Sequence, residues 1–308
     1  MKYIDEDEMR RRVSSGTIIE ALEQFFKNKP NVKVQDRIHI DDAGNTVLIM
    51  PAFDPDYYAI KLAGVAPDNR QKNKPTIHAT VILHDRKTLE PLAYIDGSAI
   101  TAIRTGAIGG LSMKHLAKES AESIGIIGTG IQGWSHLEAA IAVREIKQVY
   151  IYNRSSQKLK TFKDKVQNTY PHLKVVASNI DELVTNSDII VTTTTSNTPV
   201  LPDKGPEFWK GKHIVAVGSF RPDMQELPDA LLQNTFPVYV DTHTAQKESG
   251  DMLRVKELQG EDATFVDLSS LMDREVSRTQ PHTLFKSVGM AIFDLITAKA
   301  IYEQSHNQ

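Results

Sequence analysis

Apolar and polar residues along the first third of the chain follow two rhythms. Ile18, Ile19, Leu22, Phe25 and Phe26 recur at helical spacing, which predicts an amphipathic helix with one buried stripe. Asp5-x-x-Glu8 and Thr17-x-x-Glu20 have the form of capping boxes, so two helices are expected to open the chain. From residue 32 the rhythm shortens to strand alternation broken by turn residues. Strands are expected over 32–40, 46–50, 57–65, 76–84 and 92–95, with turns at Asp42-Ala-Gly-Asn45 and Asp54-Pro-Asp56. This is the pattern of an antiparallel sheet. Residues 98–116 then read as a helix poor in bulk: Ala102, Thr105, Gly106, Ala107, Gly109 and Gly110 permit close packing or the close approach of a ligand.

Beyond that helix the pattern changes. Short apolar runs at 124–127, 148–152, 173–177, 189–193, 213–217 and 238–241 alternate with helical segments. Such alternation predicts an α/β fold with a doubly wound parallel sheet of the Rossmann kind. A last helix over 286–302, apolar at Val288, Ile292, Leu295 and Ile296, follows this unit and is expected to return to the first. The organisation expected is a discontinuous α+β domain, residues 1–116 with 286–308, for substrate binding and dimerisation, around a Rossmann domain at 117–285.

The most informative stretch is 124–133, Ile-Gly-Ile-Ile-Gly-Thr-Gly-Ile-Gln-Gly. Gly128, Gly130 and Gly133 complete a G-x-G-x-x-G between a strand and a helix, the context that a dinucleotide fingerprint requires. The first glycine allows the tight turn, the second lets backbone approach a pyrophosphate, and the third lets helix and strand pack closely. Amides at the helix start then face the anion. At the end of the next strand, NAD binders carry an acidic residue for the ribose hydroxyls. Here that place reads Asn153-Arg154-Ser155. No carboxylate repels a 2′-phosphate, and Arg with Ser offers a charge-assisted fork. NADP(H) is therefore favoured, with NAD(H) as the alternative if Arg154 is only a solvated loop residue.

Composition narrows the function. The 308 residues suffice for two domains, and a net charge of −3 points to neither nucleic acid nor an anionic membrane. With no cysteine, disulfides, thiolate nucleophiles and cysteine–zinc sites are excluded. The acidic start is no signal peptide, and no apolar run approaches the roughly 20 residues of a membrane span, so a cytoplasmic protein is expected. No metal site is expected either. His78 and His84 lack a nearby carboxylate cluster and read as packing or surface residues, and His136 reads as an ordinary polar residue at the domain junction. The glycine motif lacks the Gly-Lys-Ser/Thr of a P-loop.

Three cations stand out. Strand alternation places Lys61 on one face with Ala59 and Ala63, a lysine beside space that something fills; the plainer reading is a side chain snorkelling to the surface. Arg104 lies among Ala102, Ile103, Gly106 and Ala107. A buried arginine needs an anion, either a ligand or an internal partner such as Asp96. Arg37 shares its face with Lys33, Gln35 and His39, and by pattern alone that face is solvated.

Taken in order, Tyr58-Ala-Ile-Lys61, Pro75-Thr76, Ile100-Thr-Ala-Ile-Arg104-Thr-Gly-Ala107, Gly128-Thr-Gly-Ile-Gln132, Thr192-Thr-Thr194 through Pro199, Val217-Gly-Ser-Phe-Arg-Pro222 and Leu284-Phe-Lys-Ser287-Val-Gly289 resemble the ornithine cyclodeaminase/μ-crystallin family over nearly the whole chain. The resemblance implies that Arg37, Lys61 and Arg104 hold a substrate carboxylate. It also implies cofactor contacts at Thr76, Arg104, Ile131, Gln132, Asn153, Thr194, the turn Val217, Gly218, Ser219 and Phe220, and Ser287, and it implies a homodimer. Two departures bear on the reaction. The family's cyclodeaminases carry an acid/base aspartate where Phe220 stands, and a glutamate where Leu48 precedes Ile49-Met50-Pro51. Cyclising ornithine with loss of ammonia needs those proton transfers. Reduction of a preformed cyclic imine needs only a fixed carboxylate, a placed nicotinamide and one proton source, for which Lys61 is the candidate, with Phe220 against the substrate ring. The reading is an NAD(P)H-dependent imine reductase of the ketimine reductase type, taking Δ1-pyrroline-2-carboxylate to L-proline, with the six-membered homologue giving L-pipecolate as a second substrate. The alternatives are an ornithine cyclodeaminase, an amino-acid or opine-type dehydrogenase, and a non-catalytic NADP-dependent binding protein of the μ-crystallin kind.

Overall fold

The computed structural model describes residues 2–272 and 281–304. They form two compact units. The first comprises residues up to Arg104 together with those from Met290 onward, and the second is Thr105–Gly289. The sequence boundaries fell at 116/117 and 285/286; the division runs instead through a continuous helix and just ahead of the C-terminal one.

The first unit opens with β1 (Lys2–Ile4), α1 (Glu6–Arg12) and α2 (Ser15–Asn28). Asp5 caps α1 as expected, its carboxylate accepting the Glu8 amide at 2.8 Å. The second helix starts a turn earlier than Thr17 because the Ser14 hydroxyl satisfies the Thr17 amide at 3.1 Å. The strands are β2 (Lys33–Val34), β3 (Ile38–Asp42), β4 (Asn45–Phe53), β5 (Tyr57–Val65), β6 (Ile77–Asp85) and β7 (Pro91–Asp96). Their order is β1-β7-β6-β5-β4-β2, with β3 also on β4. All pairs are antiparallel except β1 with β7.

The single strand expected over 32–40 is interrupted at 35–37. Val34 pairs with Ala52 but Ile38 with Ile49, so one extra residue is accommodated opposite Met50 and Pro51. Pro51 has no amide to give to a neighbouring strand, which accounts for the break. One sheet face is covered by the C-terminal helix Ala291–Gln304, which also packs on α2. Phe26 and Phe293 meet edge to face with centroids 6.0 Å apart. This helix begins five residues later than the pattern predicts, because Lys286 ends a strand.

The helix α3 (Gly97–Leu116) is capped by Asp96, whose carboxylate accepts the Ser98 and Ala99 amides at 2.8 and 3.1 Å. The second unit then continues with β8 (Ser123–Ile127), α4 (Ile131–Val143), β9 (Gln148–Tyr152), α5 (Ser156–Thr169), β10 (Lys174–Ala177), α6 (Ile180–Asn186), β11 (Ile189–Thr192), β12 (His213–Ala216), α7 (Asp229–Gln233), β13 (Val238–Val240), α8 (Ala245–Glu248), α9 (Gly250–Gln259), β14 (Phe265–Asp267) and β15 (Thr283–Lys286). Strand order is β10-β9-β8-β11-β12-β15-β13-β14. Every pair is parallel. The inner strands β8, β11, β12 and β13 are buried on both faces, which is why they read as continuous apolar runs rather than as alternation. The order reverses between β8 and β11, and open α/β sheets bind ligands outside the carboxyl ends of the strands at such a point. β14 and β15, of three and four residues, were not expected.

Candidate active site

In the first unit the central strand β5 carries Ala59, Lys61 and Ala63 on its buried face. Small neighbours leave room for the lysine stem, and Lys61 is 6% exposed. Its Nζ donates to Asp294 of the C-terminal helix, 3.3 Å from Oδ1 and 3.4 Å from Oδ2. Arg104, near the middle of α3 and 5% exposed, donates from Nε to the same Oδ1 at 3.2 Å. Its two Nη nitrogens make no hydrogen bond to a described residue, so a bidentate edge is left for a carboxylate. The internal partner of Arg104 is thus Asp294 and not Asp96, which caps α3. Lys61 is not a snorkelling surface residue.

Arg37 lies in the break between β2 and β3, half-buried, and its charge bears on Lys61. The expected solvated face assumed unbroken alternation, and the extra residue opposite Pro51 removes that assumption. Burial pushes the Lys61 ammonium down to about 8; Asp294 pulls it back up, and the Arg104 and Arg37 charges lower it further. Leu48 pairs with Ala63 and Met50 with Lys61, so Leu48 shares the lysine's sheet face and presents an apolar wall there. Thr76 is half-buried just before β6, its carbonyl accepting the Ala66 amide at 2.8 Å.

In the second unit the fingerprint glycines divide by task. Gly128 has φ +102°, and a Cβ there would lie 2.7 Å from the Thr193 carbonyl oxygen. A Cβ on Gly133 would overlap the Gly128 carbonyl oxygen. A Cβ on Gly130 would meet nothing within 4 Å. Its openness is not needed for packing, which fits a backbone that a pyrophosphate approaches. Gly130 is also the N-cap of α4 and offers no side-chain cap, so the first-turn amides remain for an anion. These residues fit a dinucleotide.

Ile131 is 71% exposed at the start of α4, and Gln132 is half-buried with no partner for its Oε1. Asn153 donates to the Thr129 hydroxyl at 2.9 Å and accepts the Ser155 amide at 2.9 Å, bracing the fingerprint turn. The Ser155 hydroxyl caps α5. Arg154 is exposed and makes no hydrogen bond or ion pair with a described residue.

Thr194 and Gly218 follow the ends of β11 and β12. Buried Glu226 ties them together: it accepts the Thr194 amide at 2.5 Å, the Gly218 amide at 2.7 Å and the Thr192 hydroxyl at 2.9 Å. Asp251 in turn accepts the Glu226 and Leu227 amides at 2.9 and 3.1 Å and lies 3.6 Å from the Lys286 Nζ. Ser219 is buried and donates to the Met224 carbonyl, Val217 is half-buried, and Phe220 stands 47% exposed at the turn. Ser287 donates to Asp241 at 2.7 Å, and the same carboxylate oxygen takes the Val288 and Gly289 amides. His136 is wholly buried, its Nδ1 donating to the Gln132 carbonyl at 2.8 Å, and burial pushes it down to about 4.

Sequence reasoning missed Asp294, Glu226, Asp251 and Asp241. The available signal was an acidic residue inside an apolar run, as at Asp294 between Phe293 and Leu295.

The model of the ornithine cyclodeaminase/mu-crystallin family matches residues 4–308. A Δ1-pyrroline-2-carboxylate reductase of Bacillus cereus is 38% identical, over 99% of this chain and 97% of that protein. The structure of the Thermococcus litoralis Δ1-pyrroline-2-carboxylate reductase in complex with NADH and L-proline superposes with TM-score 0.89 at 30% identity, covering 100% of this chain and 98% of that one. An archaeal alanine dehydrogenase dimer with bound NAD gives TM-score 0.88 at 27% identity, over 99% and 96% of the two chains.

Proposed function

The chain belongs to the ornithine cyclodeaminase/mu-crystallin family, and on that premise we propose that it is an NAD(P)H-dependent imine reductase converting Δ1-pyrroline-2-carboxylate to L-proline. The observation that carries this reading is the buried Lys61–Asp294–Arg104 cluster beside Leu48. It has donors for one carboxylate and one ionisable amine, with an apolar residue where a lyase needs a second acid/base group. Phe220 is the second such replacement. The reductases named above are the relatives whose activity this chemistry matches.

A reduced nicotinamide dinucleotide, when bound, supplies the hydride that adds to the imine carbon. The chain's own residues do the rest. The Nη edge of Arg104, with Arg37, holds the substrate carboxylate and fixes the ring in one orientation. Lys61 gives a proton to the ring nitrogen and regains it from solvent. A lysine near 8 is a competent acid at neutral pH, where an ordinary lysine is too weak. The Leu48 side chain gives the apolar part of the substrate a dry surface. For the cofactor, the groups in place are the open backbone of Gly130, the α4 amides with Ile131 and Gln132, and the Thr194, 217–219 and Ser287 turns. Thr76 and Arg104 complete the set by family resemblance.

NADP(H) is the preferred cofactor in this proposal, because Asn153 removes the carboxylate and exposed Arg154 can pair a 2′-phosphate. Ser155 contributes less than its type promised, since its hydroxyl is occupied as a cap. The protein acts as a homodimer through the uncovered sheet face. Ile38, Ile40, Val47 and Leu62 fall on that face by register and stay 40–49% exposed, an apolar face for a second copy to cover. A cytoplasmic location goes with the reductant. The test is NADPH oxidation against Δ1-pyrroline-2-carboxylate, Δ1-piperideine-2-carboxylate, and open 2-oxo acids supplied with amines. Turnover confined to the cyclic imines is expected; turnover of the open pairs alone would replace this reading with an opine-type dehydrogenase.

A further inference from the structure

Asp294 is a carboxylate in an expensive place. It is 1% exposed, in a helix whose neighbouring residues Phe293, Leu295, Ile296 and Ala298 are also buried. Burying a carboxylate is costly unless opposite charge and hydrogen bonds offset it. Its place in the first helical turn is favourable for an acidic side chain, but that effect is small beside the cost of burial. Among the described residues its partners are Lys61 and Arg104, and no backbone amide donates to it.

We propose that Asp294 is a positioning residue: through one shared oxygen it fixes Lys61 and Arg104 together and so sets the geometry of the substrate-binding cations. The inference rests on the imine-reductase reading of that cluster. By taking Arg104 at Nε, the carboxylate leaves the Nη edge for the substrate carboxylate. By taking Lys61 on both oxygens at 3.3 and 3.4 Å, it holds the ammonium at the end of a four-carbon stem that would otherwise be free to turn.

Asp294 also keeps the cluster chargeable. The groups facing Lys61 are Asp294 from the C-terminal helix, Arg104 from α3 and Arg37 from the break before β3; its strand partners Met50 and Val81 are apolar. Lys61 and Arg104 therefore share one buried carboxylate. Remove it, and burial and both arginines act on Lys61 in the same direction, toward loss of the proton. A substrate carboxylate can add to the cluster because one negative charge does not neutralise the two positive ones it holds.

The experiment compares wild type, Asp294→Asn and Asp294→Glu. Steady-state reduction of Δ1-pyrroline-2-carboxylate is followed from pH 6 to 10, and the Lys61 side chain is titrated by NMR on lysine-labelled protein, assigned with Lys61→Met. Asp294→Asn is expected to raise KM and lower kcat/KM at least tenfold at pH 7. It should also move the basic limb of the pH profile and the Lys61 titration down by at least one pH unit. Asp294→Glu, with the charge kept but displaced by a methylene, should retain the wild-type basic limb while KM rises at least threefold. A merely structural residue would move neither limb nor titration, so an unshifted Lys61 in a folded Asp294→Asn protein overturns the proposal. If Asp294→Asn does not fold, Asp294→Glu decides alone: an unchanged KM overturns the proposal. If the wild type does not reduce the imine, the proposed function fails, while the NMR titration still decides the role of Asp294.

Discussion

Replacing the fingerprint glycines one at a time by alanine separates cofactor binding from folding. At Gly130 the backbone is extended, φ −98° and ψ −165°, which alanine adopts freely, and the added Cβ meets nothing within 4 Å. Stability should change by less than about 1 kcal/mol: a few tenths gained from a stiffer unfolded chain, against a poorer N-cap. The methyl group stands where the pyrophosphate approaches, so affinity for NADPH and NADH alike should drop at least tenfold, about 1.4 kcal/mol. Gly133→Ala is the opposite case. Its Cβ overlaps the Gly128 carbonyl oxygen and lies 3.0 Å from Ile126 Cγ2, both held in the β8–α4 turn. Overpacking of this kind costs about 1–3 kcal/mol, and the thermal midpoint should fall by several degrees. Calorimetric titration with each cofactor and thermal unfolding of both variants make the assay. Normal cofactor binding by Gly130→Ala would refute the reasoning. So would equal loss of stability in the two variants, since it would make Gly130 another packing glycine.

Arg154→Ala should weaken NADPH binding at least tenfold and leave NADH nearly unchanged in titration calorimetry, because the residue is exposed and unengaged by described residues; equal losses would remove the proposed NADP preference. With the protonated form of Lys61 as the active one, kcat/KM for the imine should be level below neutrality and fall as pH rises through about 8, and Lys61→Met should lose at least tenfold together with that limb; a profile falling toward acid instead would exclude lysine as the proton donor. Leu62→Lys places a charge on the uncovered sheet face, and sedimentation velocity should show a shift from dimer toward monomer; an unchanged dimer would put the interface elsewhere.

How much was legible in the chain depended on the distance over which each interaction acts. The parallel strands β8 to β13 showed themselves because each is a self-contained apolar run, and Gly128, Gly130 and Gly133 because their spacing is local. Lys61 was legible from Ala59 and Ala63 on the same strand face. Pattern alone put Arg37 on a solvated face; Lys33, Gln35 and His39 are exposed there, while Arg37 is half-buried in a break opposite Pro51 that periodicity along its own strand does not show. Asp294 escaped altogether: it lies 233 residues from Lys61 and 190 from Arg104, and nothing near it in sequence announces a partner. The same holds for Glu226, which joins Thr194 to Gly218. Pairings across the topology become visible only when the strands and the last helix have been placed.

The central claim is that hydride reaches the carbon of a preformed cyclic imine and that no amine is expelled. It is tested most directly with NADPH carrying deuterium on the transferred position of C4, incubated with the purified protein and Δ1-pyrroline-2-carboxylate, with the products read by mass spectrometry. The result expected is L-proline with one deuterium at Cα, formed in equal amount to the NADPH consumed, and no ammonia from ornithine with NAD+ under the same conditions. Ammonia and proline formed together from ornithine, with the imine left unreduced, would contradict the account and show that a group other than those at positions 48 and 220 supplies the acid/base chemistry of a lyase.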